Sequence, residues 1–178
     1  ENELTERLGY RAPQALAALI AATLDLRGLT QVERGLDLGC GTGLMAEVLQ
    51  GRVKDFTGVD LSAAMLTQAA RKGRYQRLEK AELTSFLSAD TTGYDLITAA
   101  DVLNYVGALD PVLLAARPRL SQHGLLAFTL ERHSGLEPMI LQGSLRYAHN
   151  EAAVRVAVAD AGLTVLDLRM TVLRHDRG

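Results

Sequence analysis

The run Leu36-Asp37-Leu38-Gly39-Cys40-Gly41-Thr42-Gly43-Leu44 constrains the fold of this chain more than any other stretch. An apolar segment that ends in alternating glycines and then resumes a helical pattern reads as strand, tight turn and helix. Glycines at such a junction let the backbone bend sharply and let a ligand approach where a Cβ would collide. The helix that follows offers N–H groups without intrahelical partners. A second signal lies downstream in Gly58-Val59-Asp60-Leu61-Ser62, which puts a carboxylate at the carboxyl end of the next expected strand.

The surrounding pattern supports an α/β reading. Helices are expected over Ala12–Leu26, Leu44–Leu49, from Ser62 onward with Met65, Leu66 and Ala69 on one face, over Glu82–Leu87, over Pro111–Leu120 with Pro118 distorting its end, and over Glu151–Ala161. Strands are expected over Arg34–Cys40, Phe56–Asp60, Tyr75–Glu79, Tyr94–Ala100, Leu125–Leu130 and Leu163–Leu173. Strands that alternate with helices give βαβ units. The expected fold is a Rossmann-like three-layer sandwich, with a mostly parallel sheet of six to seven strands and helices on both faces. At 178 residues, without repeats or linkers, the expectation is one domain over 1–178. The absence of an initiating Met fits a chain that continues at either end in a longer parent.

Composition narrows the function classes. A net charge of −2 gives no global basic field for nucleic acid or an anionic membrane. The apolar stretch Ala15–Leu24 is too short to span a bilayer, and Glu1–Tyr10 lacks the apolar core of a signal peptide. A cytoplasmic setting is the default. The single cysteine and four scattered histidines supply neither a disulfide nor a metal-ligand spacing, so no metal is expected.

The glycine spacing, G-x-G-x-G, differs from the dinucleotide fingerprint G-x-G-x-x-G. It argues against a pyrophosphate turn and for a loop around a nucleoside with an amino-acid tail. Asp60 offers two acceptor oxygens suited to the hydroxyls of a ribose. Both motifs fall where open α/β sheets bind ligands, beyond the carboxyl ends of the strands. The competing readings are plain turns for the glycines and a helix cap for the acid.

Residues 36–43 and 58–66 resemble the first and second motifs of the class I S-adenosylmethionine-dependent methyltransferases. Leu8–Pro13, Tyr94–Leu103 and Arg146–His149 resemble a narrower bacterial group often fused to tetratricopeptide repeats. The resemblance implies that S-adenosyl-L-methionine is the cofactor. It places the methionine part against Asp37, Gly39, Cys40, Gly41, Thr42 and Gly43, and the ribose at Asp60, with Leu61 and Met65 nearby. Glu82 stands where the family usually has an Asp that accepts from the adenine amino group, and Ala81 and Leu83 would flank the ring through their backbone. Tyr10 would cover the cofactor, and Ala99 and Ala100 would line its pocket. Asp101, Tyr105, Tyr147 and His149 are the expected substrate-side residues.

The implied activity is methyl transfer to a small-molecule or protein nucleophile. No catalytic residue is assigned, since positioning can supply much of the rate. Candidate bases are His149 and His133, then Tyr105 and Tyr147. The bland reading of His149 is a cap on the helix that follows. Two other functions compete: a non-catalytic cofactor-binding module, and a nicotinamide-dependent oxidoreductase that the glycine spacing disfavours. Ser121-Gln122-His123-Gly124 departs from the family's usual Pro-Gly-Gly turn, and a complete seventh strand is not expected.

Overall fold

The computed structural model describes residues 11–172, and its architecture follows from two-fold alternation along buried strands. In chain order the elements are α1 (Ala12–Leu26), β1 (Val32–Leu38), α2 (Leu44–Val48), β2 (Val53–Asp60), α3 (Ala63–Lys72), β3 (Arg77–Lys80), α4 (Leu83–Ala89) and β4 (Tyr94–Ala99). They continue with α5 (Asp110–Ala116), β5 (Leu120–Phe128), β6 (Glu131–Arg132), β7 (Met139–Leu141), β8 (Tyr147–His149) and α6 (Glu151–Asp160). Short 3-10 turns occupy Leu103–Tyr105 and Arg117–Arg119.

Neighbouring side chains on β4 point to opposite faces. Leu96 joins Leu16, Ile20 and Leu24 of α1 and Met45 and Ala46 of α2. Ile97 joins Leu83, Phe86 and Leu87 of α4, Val112 and Leu113 of α5, and Val158 of α6. Two apolar layers thus sandwich one sheet, as the sequence pattern required.

That sheet is parallel throughout, in the order β3-β2-β1-β4-β5. Strand order reverses between β1 and β4, so the glycine loop leaving β1 and the turn leaving β4 flank the switch point.

Three expectations need correction. The main sheet has five strands among the described residues, where six to seven were expected. The missing member is the segment expected over Leu163–Leu173: residues 163–172 form no ladder, and Leu173 lies outside the described residues. Its alternation is real in part, since Leu163 and Val165 pack on the core while Leu166 is exposed. Alternation reports a half-buried extended chain, whereas a strand also needs a hydrogen-bonded neighbour. Second, a small sheet in the order β6-β8-β7 was not anticipated. Third, the cap of α6 is Asn150, whose side chain accepts from the N–H groups of Ala152 at 2.9 Å and Ala153 at 3.4 Å. His149 is buried and does not serve as that cap.

Other local readings hold. Ser62 caps α3, its Oγ accepting from the Met65 N–H. Pro118 sits in the 3-10 turn that ends the α5 segment. Ser121–Gly124 bulge out of the β4–β5 ladder, whose register jumps from Tyr94–Leu120 to Leu96–Leu125.

Candidate cofactor site

Gly39 and Asp60 meet at one rim because β1 and β2 are parallel and in register, with Leu38 opposite Val59. The Cys40 N–H extends that ladder by donating to the Val59 carbonyl oxygen at 3.0 Å. The chain then turns. Gly39 has φ +65° and Gly41 φ +52°, both left-handed. The Gly41 N–H points across the turn and donates to Asp60 Oδ2 at 2.8 Å, while Asp60 Oδ1 accepts from the Ser62 N–H at 2.8 Å. The acid therefore ties the end of β2 to the glycine loop.

The shape of the loop distinguishes its glycines. A Cβ at Gly39 would lie 2.4 Å from Val102 Cγ2, so this position is closed by the turn that follows β4. A Cβ at Gly41 would meet nothing within 4 Å, so bare backbone faces open space. Leu61 and Met65, adjoining Asp60, are exposed apolar side chains at the same rim. Open backbone, an acid and an apolar border together suit a ligand with hydroxyls and a flat apolar part. The residues present fit an adenosyl group.

Asp37 lies under the loop and is buried. Tyr75 Oη donates to its Oδ2 at 2.6 Å and Thr98 Oγ1 to its Oδ1 at 2.7 Å. Burial pushes the carboxyl up to about 6, against the pull of the two hydroxyls, with the nearby Asp60 charge adding to the rise. Cys40 is also buried, and burial first, then the charges of Asp37 and Asp60, push its thiol up. Its place is packing against Gly58, where a Cβ would come within 3.0 Å of the sulfur. Thr42 stands inside the loop, and Gly43 is the N-cap residue of α2.

A prediction on stability follows from Asp37. The folded value lies above the ordinary 3.8, so the folded state retains a proton that the unfolded chain has released. The contribution of this group is complete below about pH 4 and is lost as pH rises through about 6. Urea melts of native and Asp37→Asn proteins across this interval should therefore diverge, with the downward trend reduced in the variant.

Glu82 behaves differently from an open ligand-binding acid. Its side chain caps α4, accepting from the Thr84 N–H at 2.9 Å and the Ser85 N–H at 2.8 Å. Burial alone would raise its carboxyl, but these N–H groups outweigh it and hold the group below its usual range. Ala81 N–H donates to the Asp60 carbonyl oxygen at 3.2 Å, which places the start of α4 beside the acid. Leu83 is core.

Beyond β4, Ala99 is buried and Asp101 adopts φ +57°. The Asp101 N–H donates to Thr129 Oγ1 at 2.8 Å, and its Oδ1 accepts from Asn104 Nδ2 at 3.0 Å. Arg146, just ahead of β8, is the hub of this corner: it pairs with both Asp101 and Glu131 and donates to the Tyr105 hydroxyl at 2.7 Å. Its guanidinium also lies 5.0 Å from the Tyr105 ring centre. Burial would lower its pKa, but the two carboxylates raise it beyond the usual value.

Tyr147 and His149 share the opposite face of β8. The Tyr147 ring packs against Gly107, and His149 Nε2 lies 2.8 Å from the Gly107 carbonyl oxygen. Ala100 packs, partly buried, on the core layer that α1 and α2 form. Asp101, Tyr105 and Arg146 are thus brought together, whereas Tyr147 and His149 anchor the 106–109 turn. Tyr10 lies outside the described residues.

Sequence reading missed Tyr75, Thr98, Asn104 and Arg146 as members of this region. Thr98 and Arg146 lie in stretches that carry the family resemblance, and Tyr75 opens an expected strand, but none of these was assigned a place in the site. Among the described residues there is no cluster able to hold a metal ion and no helix long and apolar enough to cross a membrane.

The family model described as a methyltransferase domain matches residues 36–126. The chain belongs to this methyltransferase domain family. It is 28% identical over 118 residues to a ubiquinone biosynthesis O-methyltransferase of Glaesserella parasuis, covering 61% of this chain and 50% of that protein. It is 36% identical over 110 residues to a trans-aconitate 2-methyltransferase of Pseudomonas paraeruginosa, covering 61% of this chain and 39% of that protein. The chain thus spans half or less of the length of these two curated relatives.

Among solved structures, an S-adenosylmethionine-dependent methyltransferase from Clostridium acetobutylicum superposes with a TM-score of 0.68 at 20% identity, over 86% of this chain and 82% of that one. A magnesium protoporphyrin IX methyltransferase from Synechocystis, solved with bound S-adenosylhomocysteine, superposes with a TM-score of 0.65 at 20% identity. That match covers 84% of this chain and 72% of the other. These matches show the shared fold.

Proposed function

We propose that this chain binds S-adenosyl-L-methionine between the Gly39–Gly43 loop and Asp60, and transfers its methyl group to a small-molecule or protein nucleophile. The observation that carries the reading is the 2.8 Å bond from Gly41 N–H to Asp60, which joins the two motifs at the carboxyl edge of the sheet, next to its switch point. When bound, the cofactor supplies a sulfonium-activated methyl group for in-line displacement.

The chain's own residues then bind and orient. Backbone at Gly39, Cys40, Gly41, Thr42 and Gly43 holds the methionine part, and Asp37 supports it from beneath. Asp60 accepts the ribose hydroxyls through lone pairs that its two backbone bonds leave over. Glu82 can accept from the adenine amino group in the same way while still capping α4. Ala81, Leu83, Leu61 and Met65 border the ring, Ala99 and Ala100 the inner wall, and Tyr10 the cover. Asp101 and Tyr105 form the acceptor side, and Tyr147 and His149 serve it by holding the adjoining 106–109 turn. Holding the nucleophile in line and excluding water there supplies the rate enhancement. In this reading the acceptor is not nucleic acid, residues 1–178 act as one domain in the cytoplasm, and a longer parent chain is of the kind that can carry tetratricopeptide repeats.

The test compares two ligands. S-adenosylhomocysteine should raise the melting temperature of the protein, and NAD at the same concentration should leave it unchanged. A shift with NAD alone would reassign the loop to a dinucleotide.

A further inference from the structure

Tyr75 occupies an unusual place between the two motifs. It lies in the turn between α3 and β3, and its neighbour Gln76 fixes that turn on β2. Gln76 Oε1 accepts from the Phe56 N–H at 2.6 Å, and the Gln76 N–H donates to the Phe56 carbonyl oxygen at 3.0 Å. The Tyr75 ring leans on Phe56, with centres 5.3 Å apart and planes at 47°. From there it reaches both halves of the cradle. A Cβ on Gly43 would lie 3.1 Å from Tyr75 Cε2, and a Cβ on Gly58 would lie 3.1 Å from Tyr75 Cδ1. The hydroxyl completes the span by donating to Asp37 at 2.6 Å.

We infer that Tyr75 is a positioning residue for the cofactor loop, its ring supporting Gly43 and Gly58 and its hydroxyl orienting Asp37, so that one side chain couples loop shape to ligand affinity. This rests on the proposed adenosyl site and adds to it a residue that neither motif contains. The coupling has a physical consequence. Two hydroxyls, those of Tyr75 and Thr98, donate to the ionised Asp37. A protonated Asp37 must donate its own hydrogen, so one of those hydroxyls has to accept from it and send its own hydrogen elsewhere. Both hydroxyls can donate in full only to the ionised carboxylate.

The groups that bear on Asp37 come from every side of it. They are Tyr75 from the α3–β3 turn, Thr98 from β4, Cys40 from the loop and Asp60 from the end of β2. Removing the Tyr75 hydroxyl deletes one of the two stabilising donors while burial stays. Protonation of Asp37 then extends to higher pH, and affinity becomes weaker on the acid side first.

The experiment is calorimetric titration of S-adenosylhomocysteine into native protein, Tyr75→Phe, Thr98→Val, Asp37→Asn and the Asp37→Asn/Tyr75→Phe double variant, from about pH 5.5 to 8.5. Tyr75→Phe should bind within about twofold of native at the alkaline end and about tenfold more weakly near pH 6.5. Thr98→Val should displace the acid-side loss in the same direction. In the Asp37→Asn background, Tyr75→Phe should displace nothing. A loss that is uniform across pH in both hydroxyl variants, or no loss at all, overturns the inference and leaves Tyr75 a packing residue. If native protein fails to bind at any pH, it is the adenosyl assignment that falls, and the inference with it.

Discussion

A Gly39→Val protein should lose measurable binding of S-adenosylhomocysteine and about 3 kcal/mol or more of stability. Two effects add at this position. A side chain at φ +65° is strained by roughly 1–2 kcal/mol. Its Cβ would also lie 2.4 Å from Val102 Cγ2 and 2.7 Å from Val102 Cβ. Val102 is β-branched, has few rotamers to retreat into, and follows directly on Asp101, itself held at φ +57°. The clash therefore moves the turn after β4 as well as the loop after β1, and both walls of the site shift together.

Two companions isolate the cause. Gly39→Ala should be milder and should be partly rescued by Val102→Ala, which removes the colliding methyl groups. Gly41→Ala meets open space and should show the backbone strain alone, about 1 kcal/mol. Chemical denaturation alongside calorimetry checks all three.

Asp60→Ala should weaken S-adenosylhomocysteine by about a hundredfold. The carboxylate is assigned two charge-assisted bonds to ribose hydroxyls, each worth roughly 1.5–3 kcal/mol and not fully additive. Its removal also frees the Gly41 and Ser62 N–H groups, so the loop loses the tie that holds it to β2. Asp60→Asn should fall between the two proteins. Its amide oxygen can keep one acceptor role, but its NH₂ faces the donor at Gly41 or Ser62 and cannot accept. Calorimetric titration of the three proteins under one buffer condition reads the order directly. Equal affinities for the native and Asp60→Ala proteins would remove the ribose assignment.

The parts of this site legible in the sequence are those whose cause is local. The glycine run declares itself because each residue is constrained by its own backbone and its immediate neighbours. Asp60 closes β2, and its partner Gly41 is drawn to it by strand register, which parallel βαβ units largely fix. Ser62, Pro118 and the extent of α1 carry their meaning in capping and ring chemistry that acts within one turn. Fold class and the cofactor rim follow from these.

What stayed hidden depends on contacts between residues far apart in the chain. Tyr75 reaches Asp37 across 38 positions and Arg146 reaches Asp101 across 45, and nothing near Tyr75 or Arg146 signals either pairing. The sheet β6-β8-β7 is built from strands of two or three residues, too short for alternation to register. Leu163–Leu173 errs the other way. Over residues 163–172 the alternation records one half-buried face, but a ladder partner is a property of the whole fold. His149 and Asn150 show how fine the margin can be: one position separates a buried side chain bonded to Gly107 from the cap of α6.

Diffraction from crystals grown with S-adenosylhomocysteine tests the central claim most directly. The ribose hydroxyls should lie within hydrogen-bond distance of the Asp60 carboxylate, with the amino-acid tail against the backbone of Gly39–Gly43. Ligand density at any other rim of the sheet, or at this rim with the ribose turned away from Asp60, would contradict the account.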